Sequence, residues 1–278
     1  MENRSKRWPV LIILGFSCLA FISLSLIPIL GGLFNSSESV NGNPALTASA
    51  EQTRLEEEER GYQLVVDREP ENQTALQGLF ETRAKLIQLG ARQPKDLIDP
   101  LSRLKDLNPD QPDYAVLLAQ THQQAGDREA AATAYREVLD RQPGNTNALQ
   151  GLVALFLAEN RASAAEELLQ STLAAAKATA EPAVDTTAVQ LILGDVYIEQ
   201  QKYSEALAIY NSLIQLDGQD FRPLVGKAVA LRAQGNEAEA KPLFASAEKI
   251  APAQFKDQIR QLASQPGQSE LSPRPAAP

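Results

Sequence analysis

Ala131 and Ala165 stand 34 residues apart, and so do Ala206 and Ala240. Four places after each comes an aromatic residue or a leucine: Tyr135, Leu169, Tyr210 and Phe244. A period of that length describes a pair of helices, and one pair is too small to bury its own apolar face, so neighbours must stack. The chain is therefore predicted to be all-α, a helix-pair solenoid rather than one globular enzyme core. Its function is expected to lie in the surface that the stack presents.

The register extends along most of the chain. Leu101 to Tyr135, Pro109 to Pro143 and Leu193 to Lys227 are each 34 residues. The step from Ala165 to Ala206 is 41, which predicts a seven-residue insertion near Ala180 to Thr186. The step from Pro70 to Pro109 is 39, matched by Tyr62 to Leu101, and its five extra residues fall at Gly90 to Lys95, in a turn between helices.

These residues resemble the tetratricopeptide repeat. That pattern wants a large residue, then Leu-Gly, a Tyr, and later Ala, an aromatic, Ala and a closing Pro. Leu193-Gly194, Tyr197, Ala206, Tyr210 and Leu213 fit it in one unit. Leu224, Ala228, Leu231, Gly235, Ala240, Phe244, Ala247 and Pro252 fit it in the next. A third unit carries Leu118-Ala119, Gly126, Ala131, Tyr135, Val138 and Pro143, and two more are degenerate. Small residues let two helices cross closely, aromatics fill the space beside them, and proline ends the second helix. Lys177 and Gly218 replace the closing proline and Lys227 the first-helix leucine, so irregular joints are expected there.

Repeats are predicted at 73–111, 112–145, 146–179, 187–220 and 221–254. A half repeat over 51–72 precedes them, and a capping helix over 255–264 covers the far end, with Phe255, Ile259 and Leu262 at helical spacing. Residues 265–278 hold four prolines and little that is apolar, the composition of a disordered tail.

Residues 9–34 carry no charge and are mostly Leu, Ile, Val, Phe, Ser and Gly. About 20 apolar residues cross a bilayer as a helix, so this stretch is predicted to be a transmembrane anchor and the chain's contact with the lipid bilayer. Arg4, Lys6 and Arg7 precede it, and the next basic residue is Arg54, which keeps the short N-terminus 1–8 cytoplasmic and sends the repeats across, into a periplasm or thylakoid lumen. Residues 35–50, rich in Ser, Asn and Gly, are expected to be a flexible linker. Cleavage at Ala48-x-Ala50 would instead release a secreted, soluble peptide-binding protein, although a cleavable apolar core is usually only about 7–15 residues long.

Composition narrows the chemistry. One histidine and one cysteine, His122 and Cys18, can build neither a metal site nor a Cys/His pair, and no glycine-rich phosphate loop is present. His122 replaces the first-helix tyrosine of its repeat, which suits a packed structural side chain. No catalytic, cofactor-binding or metal-binding residue is therefore expected. A carboxylate-dependent hydrolase stays open as an alternative, requiring Glu81, Asp195 or Glu199 to face a second acid. The net charge is −9, and no basic stripe interleaved with aromatics occurs, which argues against nucleic acid.

In the resembling family the first helix of each repeat lines a concave groove. Carried over residue by residue, this implies a peptide-groove set of Val116, Gln120, Gln123, Gln150, Leu157, Leu191, Asp195, Ile198, Arg222, Val225 and Arg232. Its floor would be apolar, with opposite charges toward its two halves, and an extended or helical peptide would lie on Val116, Leu157, Leu191 and Val225. The same apolar positions could equally be inter-repeat packing. The basic clamp with which some members hold a chaperone's carboxylate tail is replaced here by Gln, Asp and small residues.

The layout of anchor, linker and repeats is similar to cyanobacterial and plastid membrane-anchored repeat proteins of the slow-green type. That likeness implies a plasma, envelope or thylakoid membrane and a scaffold or adaptor role in assembling membrane complexes. Self-association through the repeats is a further expectation.

Overall fold

The computed structural model describes residues 44–179 and 184–265, and twelve α-helices, one short 3-10 helix and no strand occur among them. They run as α1 (Pro44–Arg68), α2 (Gln73–Gln88), the 3-10 helix (Pro94–Leu97), α3 (Ile98–Leu107), α4 (Pro112–Gln124), α5 (Arg128–Arg141) and α6 (Thr146–Ala158). There follow α7 (Ala162–Thr179), α8 (Thr186–Glu199), α9 (Tyr203–Leu216), α10 (Phe221–Ala233), α11 (Glu237–Ile250) and α12 (Ala253–Ser264). The described residues divide into two compact units between Leu155 and Phe156, inside α6.

Local chemistry explains where the helices begin and turn. Asn72, Asp127, Asn145, Asp185 and Asp220 each accept a hydrogen bond from a backbone N–H two or three residues on, supplying N-terminal donors with the partner they otherwise lack. Inside each helix pair one turn residue adopts a left-handed backbone: Gly90, Gly126, Asn160, Gln201 and Gly235. The last four follow the 34, 41, 34 spacing of the repeat, so the turn persists where its glycine has been lost.

In the first unit, α1 packs on α2 and shares a core with the 3-10 helix, α3 and α4, centred on Val66, Leu76, Leu79, Leu101 and Leu104. The extra residues after Gly90 are tied down by charge. Glu59 on α1 is 8% exposed and accepts from Arg83 Nε at 2.8 Å and from Arg92 Nη2 at 2.7 Å. Arg83 also donates to the Asp96 carbonyl at 2.9 Å and to Gln63 Oε1. Burial alone would raise the Glu59 carboxyl, but the two arginines outweigh it and hold the group below its usual range.

A size complementarity links the second helix of one pair to the first helix of the next. Tyr62 packs on Gly78, Tyr135 on Gly151 and Tyr210 on Gly226, always 16 residues later. A Cβ added at Gly78, Gly151 or Gly226 would come within 2.4, 2.1 or 2.4 Å of a tyrosine ring carbon, far inside van der Waals contact. Where the first partner is Leu101, the residue 16 later is Leu117, and both join one core. Bulk is thus traded across the joint at roughly constant volume, as close-packed interiors demand.

In the second unit, α8, α9, α10, α11 and α12 pack in sequence, and α8 also touches α10. Ala228, Leu231, Ala240, Phe244 and Ala247 form a core that Ile259 and Leu262 of α12 complete. The small alanines sit at the helix crossings and Phe244 fills the space beside them.

Several expectations change. Helix α1 begins at Pro44, so residues 44–50, expected to be a flexible linker, are helical: their run is rich in alanine, the best helix former, and Arg54 ties Glu51 to Glu58 farther along the same helix. Helix α7 continues to Thr179, past the Lys177 that stands in place of the closing proline. The anchor at 9–34, the insertion over 180–183 and the tail from 266 onward lie outside the described residues. Among those described, no helix is long and apolar enough to cross a membrane.

Candidate peptide-binding face

All eleven groove candidates lie on the first helices of repeats. In the first unit, Val116 and Gln120 on α4 are 4% and 9% exposed, so they are packed residues with little surface for a partner. Gln123 is partly exposed, and its Oε1 accepts from the Tyr135 hydroxyl at 3.2 Å. That hydrogen bond orients the amide while burial pushes the Tyr135 phenol upward. Gln150 on α6 is partly exposed. Gln77 on α2 and Tyr114 on α4, which the carried-over positions omit, join their side chains at 2.8 Å on adjacent first helices. Only their spacing across the 90–95 insertion could have signalled this pair.

The second unit holds the other seven. Leu157 at the end of α6, Leu191 on α8 and Val225 on α10 are partly exposed, whereas Ile198 is 4% exposed and belongs to the core with Ala206 and Tyr210. Because α8 touches α10, the structure puts Leu191 and Val225 on neighbouring helices. Leu191 packs against the core of Ile198, Ala206, Tyr210 and Ala230, and Val225 flanks the core around Leu231. The apolar positions therefore serve packing and keep some surface as well.

The charged candidates are not available as free charges. Arg222 is paired with Asp220 through Nε at 3.0 Å and Nη2 at 2.7 Å, which raises its pKa further. Arg232 is 3% exposed: its guanidinium lies 4.5 Å over the Phe244 ring, and Nη1 donates to the carbonyls of Leu262 at 2.6 Å and Gln265 at 2.9 Å. Burial lowers its pKa. The expected opposition of charges along the groove is thereby corrected, because Arg222 is paired with Asp220 and Arg232 is buried against main-chain carbonyls. Hydrogen-bonding partners, invisible in a spacing pattern, engage both side chains and bury that of Arg232.

Asp195 is the remaining titratable candidate. Burial pushes its carboxyl up to about 6, against the hydrogen bond that Oδ1 accepts from the Tyr210 hydroxyl at 2.8 Å. Its hydrogen-bond partner is thus a phenol rather than a second acid. His122 is largely enclosed, with Nδ1 3.9 Å from Asp127 Oδ2. Among the described residues no cluster of three His, Cys, Asp or Glu side chains could hold a metal ion.

Polar residues outside the predicted set bridge α7 and α8. Lys202 Nζ meets Glu166 Oε2 at 2.8 Å and stands 5.5 Å over the Tyr197 ring, while Gln170 donates to the Tyr197 hydroxyl at 3.1 Å. The lysine holds the Glu166 carboxyl below its usual range.

Comparison with known proteins agrees with this architecture. A family model described as "Tetratricopeptide repeat" matches residues 73–247. Over 123 residues the chain is 32% identical to "Cellulose synthase operon protein C" of Pseudomonas fluorescens (strain SBW25), covering 41% of this chain and only 9% of that protein's length. Among solved structures, yeast Tom70 aligns over 88% of this chain and 46% of its own, with a TM-score of 0.55 and 13% identity. A tetratricopeptide repeat protein from Parabacteroides merdae ATCC 43184 aligns over 94% and 98%, with a TM-score of 0.51 and 15% identity. At such identities the structural likeness concerns the fold alone.

Proposed function

The chain belongs to the tetratricopeptide repeat family, and from that premise we propose that it is a scaffold that binds a protein partner on its first-helix surface while residues 9–34 hold it in a bilayer. The observation that carries the binding reading is the pair Leu191 and Val225: two apolar side chains on touching first helices, neither fully consumed by the core. An extended or helical segment with matching apolar residues would cover them, and the paired Arg222 beside them fixes a polar edge. The uncharged run 9–34, with basic residues on its N-terminal side, supports anchorage with the repeats outside the cytoplasm. Assembly of membrane or envelope complexes is the role that this placement suits.

Site-specific photocrosslinking in cells tests the binding face. A crosslinker at Leu191 or Val225 should yield discrete protein adducts, whereas one at Ser212, on the exposed side of α9, should not. Equal adducts from both faces, or none from either, would remove the first-helix surface as the binding site. Protease treatment of sealed membranes tests the topology: digestion of the repeats from the cytoplasmic side would overturn it.

A further inference from the structure

The last helix of the second unit is held by an unusual arrangement. Helix α12 has 12 residues, too few for stability on its own, since isolated helices shorter than about 12–15 residues are marginal in water. It contributes only Ile259 and Leu262 to the buried core. At its N-terminal end Phe255 meets Phe221 of α10 with ring centroids 5.1 Å apart. Its C-terminal end is grasped by Arg232, whose Nη1 reaches the carbonyls of Leu262 and Gln265. A buried cation at a helix C-terminus, where carbonyl dipoles converge, is a specific complement to a helix end. Packed on Phe244 and 3% exposed, Arg232 is poorly placed for water to replace those carbonyls. Its Nη2 is also buried and makes no hydrogen bond, so the grip has donor capacity to spare.

We propose that the face formed by Phe221, Arg232 and Phe244 is a receptor for a short amphipathic helix, and that α12 occupies it in cis as a displaceable strap. The partner it fits carries apolar residues in the pattern of Phe255, Ile259 and Leu262, at i, i+4 and i+7, and ends its helix so that main-chain carbonyls face Arg232. Val225 also borders this core, but neither Leu191 nor crosslinking at it enters the release of α12 or the bonds of Arg232, so either reading can fail without the other.

Two measurements test the proposal. In the full chain, native-state hydrogen exchange should show the α12 amides opening about tenfold or more faster than those of α10, because a strap must release without the repeat beneath it unfolding. Equal protection of the two helices would overturn the proposal. Secondly, a fluorescent peptide of residues 253–265 should bind saturably to the full chain carrying Ile259→Ser and Leu262→Ser, which weaken the strap. It should bind about tenfold or more weakly to the unsubstituted chain, where α12 competes, and to the weakened chain with Arg232→Met added, since a hydrogen bond from a charged group is lost. Absence of binding to the weakened chain, or indifference to Arg232→Met, would refute it.

Discussion

Replacing Gly226 by alanine should destabilise the protein even though alanine is the better helix former. The Tyr210 ring is fully buried between Gly194 and Gly226, and a Cβ added at either glycine would lie 2.6 Å from Cζ. The ring cannot slide away cheaply, because its hydroxyl is committed to Asp195 at 2.8 Å and Gly194 blocks the other side. Overpacking a tight core costs about 1–3 kcal/mol, and losing the Asp195 bond would add about 1.5–3 kcal/mol if the ring moved. Helix propensity returns about 1 kcal/mol. A net loss of about 2 kcal/mol follows. Urea unfolding followed by circular dichroism would read it as a lower midpoint at unchanged slope. In a Tyr210→Leu background the same substitution should be neutral or favourable, because the ring that the new Cβ would meet is gone. A raised midpoint for Gly226→Ala alone would refute the packing argument and leave propensity in command.

Gln201→Gly should stabilise the chain by about 1 kcal/mol, since Gln201 holds a left-handed φ of 60° that glycine adopts freely; an unchanged or lowered melting temperature would contradict this. Asp195→Asn should leave stability unchanged near pH 4 and increase it at pH 8. Asp195, raised to about 6, contributes stability that is complete below the ordinary aspartate range and lost as pH rises through 6. For a partly exposed residue the gain is about 1–2 kcal/mol, and melts that show no growing gap between pH 4 and 8 would contradict it. Glu59→Gln has the opposite pH signature, because the native carboxyl is held low. Its cost, about 3 kcal/mol at pH 7 for breaking a buried pair, should shrink as the pH falls below about 4, and a pH-independent cost in urea melts would be the contrary result.

The spacing of alanines and aromatics located helices and turns because close helix crossings tolerate few residue types. The same logic was partly misleading at the surface. Val116 and Ile198 occupy face positions by register yet are buried, Ile198 in a core with Ala206, Tyr210 and Ala230. Arg222 and Arg232 read as two groove cations and prove to be an N-cap pair and a helix-end clamp. Leu191 and Val225 fall where the register puts them and keep their surface.

By itself the sequence determined the period, the helix-pair architecture and the residues at the crossings, since these follow from local periodicity and side-chain size. It also carried the Tyr-to-Gly spacing of 16, although only coordinates reveal it as a contact. Tertiary structure alone decided which polar groups remain for a partner. Whether Arg232 reaches solvent or the carbonyl of Leu262, and whether Glu59 faces water or two arginines, depends on which atoms packing brings within about 3 Å. No linear pattern encodes that distance: the residues of these pairs stand 24 to 33 places apart and meet only when their helices dock.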